Sequence, residues 1–374
     1  MVDKKVKIGA AALVIFVFLA CALTLTVVLS VVLTRDSSSS SSGSTTTYTA
    51  TASAGDFVTI TVNRASRYID YSNSKSGRAG RFTYTVNADG SYDINDADGD
   101  LVRAVELPNY GILLQINKGG ATANVKCLVT GMTKSTISRA SLQGKAYNFF
   151  QFRTTSGGLE VGSIVFGATG QQLSHSSWWP YGAFNGETGF NEASDLSLTN
   201  ATFAADGSYM HVLLEDENLY IFASGTRLAI DLPAGSLMAM RESSSASFDT
   251  TSFPGTYTTL IYRKTNAHSQ PGNTESGDIV LDKAQVEVTA AAGVTVTSLT
   301  TSTVLFTGTL SALSSDSSVF GPGKLTAECR GVFIARSGDT AFVMSFTDRS
   351  VYMSSFTPLE DSAYNYFNGA GIII

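Results

Sequence analysis

The chain is poor in the residues from which most reaction centres and cross-linked scaffolds are built. It has only three histidines, His175, His211 and His268, and their scatter matches no zinc-ligand spacing. Its three cysteines are Cys21, Cys127 and Cys329. Cys21 falls in an apolar run. The other two either form one disulfide or stay as separate buried thiols, and neither arrangement is a disulfide scaffold. Charge is scarce as well: 15% of the residues are Asp, Glu, Lys or Arg, against about a quarter in ordinary domains. No cluster of Lys and Arg is present and the net charge is −6. Nucleic acid is therefore excluded as a partner, because phosphate binding needs grouped cations. No G-x-S-x-G occurs. Ser72-Asn73-Ser74-Lys75 fits S-x-x-K but lacks the S-D-N and K-T-G partners that the motif needs. No cofactor motif is present.

One long uncharged run stands out. Ile8 to Thr34 carries no charge, and before its terminal Thr34 the hydroxyl side chains are only Thr24, Thr26 and Ser30. About 20 apolar residues cross a bilayer, so the run predicts a transmembrane helix. Lys4, Lys5 and Lys7 precede it, whereas Arg35 follows it beside Asp36. The excess of cations on the N-terminal side predicts a cytoplasmic tail over 1–7 and an extracytoplasmic body. The run is too long for the apolar core of a cleaved signal peptide. Ser37 to Ser42 is an unbroken serine run. With nothing to bury, the stretch 35–47 is expected to be a flexible spacer. Subtracting the anchor's Lys4, Lys5, Lys7 and Arg35 from 25 cations, and Asp3 and Asp36 from 31 acids, leaves 21 and 29, a net −8 for the body.

Past the spacer, period-2 alternation dominates. Phe57 to Val62, Arg81 to Val86, Ile112 to Ile116, Val125 to Val129, Ala146 to Phe152, Tyr257 to Tyr262 and Gly331 to Ala335 are rich in Val, Ile, Thr, Tyr and Phe. Asp89-Gly90, Asp98-Gly99, Asp206-Gly207 and Ser337-Gly338-Asp339 are hairpin turns by composition, since glycine accepts positive φ without cost. The fold class expected is all-β: tandem antiparallel β-sandwich or barrel-like domains behind one N-terminal transmembrane helix. A repeat supports the tandem reading. Ala88-Asp89-Gly90-Ser91-Tyr92 recurs as Ala205-Asp206-Gly207-Ser208-Tyr209, and Ala104 to Pro108 is echoed by Ala229 to Pro233. A weaker echo links Gly144 to Tyr147 with Gly255 to Tyr257. The boundaries expected are 48–138, 139–248 and 249–374. The three β-branched residues at the C-terminus, Ile372 to Ile374, are expected to pair as a strand, because a free apolar tail invites aggregation.

Two stretches carry candidate chemistry. Asp96, Asp98 and Asp100 form the densest acidic turn and are candidate calcium ligands. They do not make an EF-hand: with Gly99 at the sixth position, Ile94 and Val105 fall at the first and twelfth, where carboxylates are required. The stretch from His175 to Phe190 holds both tryptophans and reads as a loop, with Pro180, Gly182, Gly186 and Gly189 breaking any alternation. Trp178, Trp179, Tyr181 and Phe184 either plug a domain end or bind a ligand, since flat rings suit sugar faces. Two function classes follow. The first is a membrane-anchored extracytoplasmic protein with a structural, adhesive or ligand-binding role, its partners the membrane through Ile8 to Thr34 and a glycan or protein outside the cell. The alternative is a membrane-tethered extracytoplasmic hydrolase acting on glycans, which needs two carboxylates in a cleft. The absence of a reaction-centre motif favours the first.

Overall fold

Alternating sequence becomes strand almost everywhere. The computed structural model describes residues 44–374 apart from 54, 75, 119–124, 154–157, 183–188, 215–216, 233–234, 246, 269–277, 313–329, 360–362 and 374. The expected anchor Ile8 to Thr34, the serine run and Cys329 lie outside the described residues. Among those described, no helix is long and apolar enough to cross a membrane. The first sheet runs through β1 (Thr45–Ala52), β2 (Asp56–Asn63), β3 (Tyr68–Asn73), β4 (Ala79–Val86), β5 (Ser91–Asn95), β6 (Leu101–Leu107), β7 (Gly111–Lys118) and β8 (Val125–Thr133). Each strand pairs with the next, and β1 also pairs with β8, so the sheet closes into a barrel. Alternation fills it: Val58, Ile60 and Val62 of β2 point into the core with Tyr48, Ala50 and Ile112, while Thr59 and Thr61 do not.

A short helix, α1 (Arg139–Leu142), leads out of the barrel behind a reciprocal Ser138–Ser141 capping box. The second sheet then comprises β9 (Ala146–Arg153), β10 (Gly158–Phe166), β11 (Gln172–Gly182), β12 (Gly189–Ser197), β13 (Thr202–Phe203), β14 (Met210–Leu214), β15 (Glu217–Ser224), β16 (Arg227–Leu232) and β17 (Gly235–Arg241). The third comprises β18 (Gly255–His268), β19 (Asp278–Val288), β20 (Gly293–Ser298), β21 (Val304–Thr309), β22 (Ser311–Ala312), β23 (Val332–Ser337), β24 (Thr340–Thr347), β25 (Ser350–Pro358) and β26 (Ala363–Ile373). Both share one plan. The first strand pairs with the ninth, β9 with β17 and β18 with β26, and the ring of neighbours is interrupted only between the fourth and fifth strands. The body is thus all-β, with one closed barrel and two open, barrel-like sheets.

The turns behave as their composition requires. Gly90, Gly99, Gly207 and Gly338 have φ of 74°, 70°, 69° and 56°. Asp89-Gly90 joins β4 to β5, and Asp206-Gly207 joins β13 to β14. Leu107 closes the second strand after its turn, whereas Leu232 closes the third after its own. The Leu-Pro echoes therefore do not occupy equivalent points. Tyr147 and Tyr257, from the weaker echo, both sit buried near the start of the first strand of their sheets. The C-terminal residues Ile372 and Ile373 are paired in β26 against Thr258 and Tyr257 of β18.

The three sheets meet at buried side chains. Tyr110, in the β6–β7 turn, donates from its hydroxyl to the carbonyl of Gly371 in β26 at 3.0 Å. The Arg227 guanidinium of β16 lies 3.6 Å from the centre of the Tyr110 ring and donates to the Tyr110 carbonyl. Burial lowers the pKa of that guanidinium, and the ring face and carbonyl oppose the penalty by favouring the cation. Thr51 of β1 donates to Asp231 of β16 at 2.5 Å. Between the second and third sheets, Tyr352 stacks on Phe150 at 5.0 Å and donates to its carbonyl at 2.7 Å. Gly371 leaves no room for a side chain, since a Cβ there would collide with the Thr258 carbonyl. That close approach seats β26 against β18.

Candidate functional site

The aromatic stretch is strand, not loop. Trp178, Trp179 and Tyr181 lie on β11, where Trp178 pairs with Val161 on one side and Phe190 on the other, Trp179 with Gly189, and Tyr181 with Leu159. Phe184 lies outside the described residues. The register slips between Leu159 and Val161, opposite Trp179 and Pro180. A bulge there absorbs the proline, which cannot donate to the ladder, so pairing on both flanks overrides the Pro and Gly signals.

The acidic turn closes on a cation of the chain itself. Arg78 lies 2.7 Å from Asp96 and 3.6 Å from Asp98, and it contacts Asp100 directly. Asp96 also accepts from the backbone N–H of Asp98 and of Leu101, at 3.1 and 3.0 Å. The structure thus brings the three candidate ligands together around a guanidinium. Among the described residues, no three His, Cys, Asp or Glu side chains are grouped to hold a metal ion.

The barrel interior holds a buried carboxylate. Glu106 of β6 is 1% exposed. It accepts from the hydroxyl of Tyr92 at 2.6 Å, from Arg64 Nε at 3.0 Å and Nη2 at 2.5 Å, and from the hydroxyl of Tyr48. Burial first, then the Glu106 charge and hydrogen bonds, raise the phenol pKa of Tyr48 and Tyr92 far above its ordinary value. With four bonds to one carboxylate, this cluster is a structural tie across the barrel.

A concavity of about 490 Å³ lies at one end of the third sheet. That falls within the range of small-ligand sites, about 300–1,000 Å³. Its aromatic lining is made by Phe306, Tyr366 and Phe367. Phe306 stacks on the buried Phe342 at 4.0 Å, and Phe342 lies 5.8 Å from Phe367. Small polar groups make up much of the rest: Thr265, Thr307, Ser355 and Asn365, with Thr340 and Thr357 bonded to each other at 2.9 Å. Two cations complete the lining, Arg263 and Lys264, and among the described residues no carboxylate belongs to it. Arg263 Nη2 stands 3.6 Å from Asp282. Asp282 is itself held by Ser298 at 2.5 Å, Thr300 at 2.6 Å and the Lys283 N–H at 2.7 Å. The buried Nε of Arg263 has no hydrogen-bond partner among the described residues, a condition that costs about 1–3 kcal/mol.

Sequence reasoning passed over this site, because its walls come from β18, β21, β25 and β26 and the ends of β23 and β24. One signal was present. Arg263-Lys264 places two adjacent charges at the end of the uncharged strand run Thr256 to Tyr262.

No protein-family model matches the chain, and no curated protein sequence does. Among solved structures, transferrin binding protein B of Neisseria meningitidis serogroup B is 10% identical, with a TM-score of 0.29 over 85% of this chain and 65% of that one. A Trp-176-Ala mutant of transferrin binding protein B from Haemophilus parasuis is 7% identical, with a TM-score of 0.22 over 84% and 65%. AztD of Citrobacter koseri is 8% identical, with a TM-score of 0.14 over 88% and 100%. The chain spans 65% of the length of the first two, and overlaps this slight assign it to no family.

Proposed function

We propose that this is a membrane-anchored extracytoplasmic binding protein whose body takes a carbohydrate in the mouth of the third sheet. The carrying observation is the cavity itself: hydroxyl and amide groups share one lining with aromatic rings, the combination that matches a sugar's alternating polar edges and apolar faces. Ile8 to Thr34 serves as the anchor, the run Ser37 to Ser42 as the spacer, and three β units over 48–138, 139–248 and 249–374 as the displayed body. On an array of neutral and acidic glycans, the full-length chain in detergent should retain specific ligands. Thr357→Trp places a ring in the mouth at a half-buried position and should abolish that retention while leaving the melting temperature within a few degrees of wild type. Unchanged retention by the folded variant would sink the reading.

Orientation has its own test. Protease added to intact cells should digest the body and leave a membrane-embedded N-terminal stub. Survival of the body until the membrane is permeabilised would reverse the topology.

A further inference from the structure

We infer that the mouth of the third sheet selects a ligand bearing a carboxylate, with an acidic sugar as the chemical class. This rests on the carbohydrate reading above and adds the charge that the site discriminates. Among the described residues the lining holds Arg263 and Lys264 and no acid, in a chain whose net charge is −6. An anion repelled by most of the surface is drawn to such a place.

Arg263 is the group that would read the carboxylate. Its acidic neighbour among the described residues, Asp282, lies at 3.6 Å, beyond a good hydrogen bond. Asp282 is already engaged by Ser298, Thr300 and the Lys283 N–H. The guanidinium is therefore charge-balanced by Asp282 without being consumed by it. A planar guanidinium offers a carboxylate two parallel N–H donors, a geometry that a neutral hydroxyl cannot match. Lys264, 5.9 Å from the centre of the Tyr366 ring, adds long-range attraction. Thr265, Ser355 and Asn365 remain for the ring hydroxyls, and Phe306 and Phe367 for a C–H face.

The probes are glucuronic acid and glucose, which differ at one carbon, titrated into the full-length chain in detergent by calorimetry. Glucuronic acid should bind about 10–100-fold more tightly, the range of a charge-assisted hydrogen-bond pair. Raising the salt should weaken glucuronic acid and leave glucose unmoved. Arg263→Gln should erase the difference while keeping glucose affinity, and Arg263→Lys should restore part of it. The salt series needs no variant, so it decides the matter even if Arg263→Gln does not fold. Equal affinity for both sugars, independent of salt, would overturn the carboxylate preference and leave the carbohydrate reading standing. Binding of neither sugar would overturn both. A preference that survives Arg263→Gln would remove the assignment to this mouth.

Discussion

Replacing Glu106 with leucine should cost about 3–5 kcal/mol of stability, the penalty for breaking a buried charge network by removing one partner. Leucine has a similar volume but accepts nothing. Two phenol hydroxyls and one guanidinium would lose their acceptor. They belong to Tyr48 on β1, Tyr92 on β5 and Arg64 just after β2, so the carboxylate on β6 ties together parts of the barrel far apart in sequence. Arg64 is also bonded to Thr46 at 3.0 Å, a neutral acceptor that does not replace the carboxylate's charge. Glu106→Gln keeps an oxygen acceptor without the charge and should fall between leucine and wild type. Urea unfolding followed by circular dichroism gives the ranking. A leucine variant within 1 kcal/mol of wild type, roughly the worth of one ordinary hydrogen bond, would show that the carboxylate does not hold the barrel.

Above pH 10 the protein should unfold steeply. Tyr48, Tyr71, Tyr84, Tyr92, Tyr110, Tyr147, Tyr257 and Tyr352 are buried, and burial raises the pKa of each. Glu106 pushes Tyr48, Tyr84 and Tyr92 further in the same direction. In the unfolded chain a phenol titrates near pKa ~10. A folded pKa above the unfolded one means that, past pH 10, the unfolded chain binds fewer protons, so stability declines as pH rises. The contribution is fully present below the unfolded value and is lost on the way up to the folded one. Each such group removes up to about 1.4 kcal/mol per pH unit in that window, and eight act together. Of the 15 tyrosines, these eight are held back from ionising by the fold. The eight should appear as one later step in tyrosinate absorbance, coincident with loss of the far-ultraviolet dichroism. A single smooth titration of all 15 with unchanged dichroism would contradict the burial pattern.

Local features of this fold were legible in the sequence. Phe57 to Val62 and Tyr257 to Tyr262 are strands where alternation put them, and Gly90 and Gly207 take the positive φ that their turns demand. A pleated strand and a tight turn are each decided within a few residues. Closure was not legible, because β1 meeting β8, or β18 meeting β26, depends on residues about a hundred apart. The Trp178 to Tyr181 stretch was misread as loop because Pro180 is a local breaker, whereas the bulge that accommodates it is made by β10. The acidic turn showed its carboxylates but not Arg78, which arrives from the residue before β4. The cavity residues carried no motif, since a mouth lined by Thr, Ser and Asn has the composition of any polar strand end.

The pairing of first strand with last sets the order of events when the chain is made. Tyr48 cannot find Thr133, nor Tyr257 find Ile373, until the whole intervening meander exists. Contacts of that separation fold slowly, because the loop-closure entropy comes due before any of the stabilising pairing. During synthesis each opening strand, β1, β9 and β18, waits with one edge bare, and bare edges recruit other chains. The first barrel can seal as soon as β8 emerges, while the third sheet stays incomplete until β26, its ninth strand, is supplied. A ribosome stalled before Gly369 would therefore leave a finished barrel beside a third sheet still lacking the end of its closing strand, and aggregation of truncated products should concentrate there.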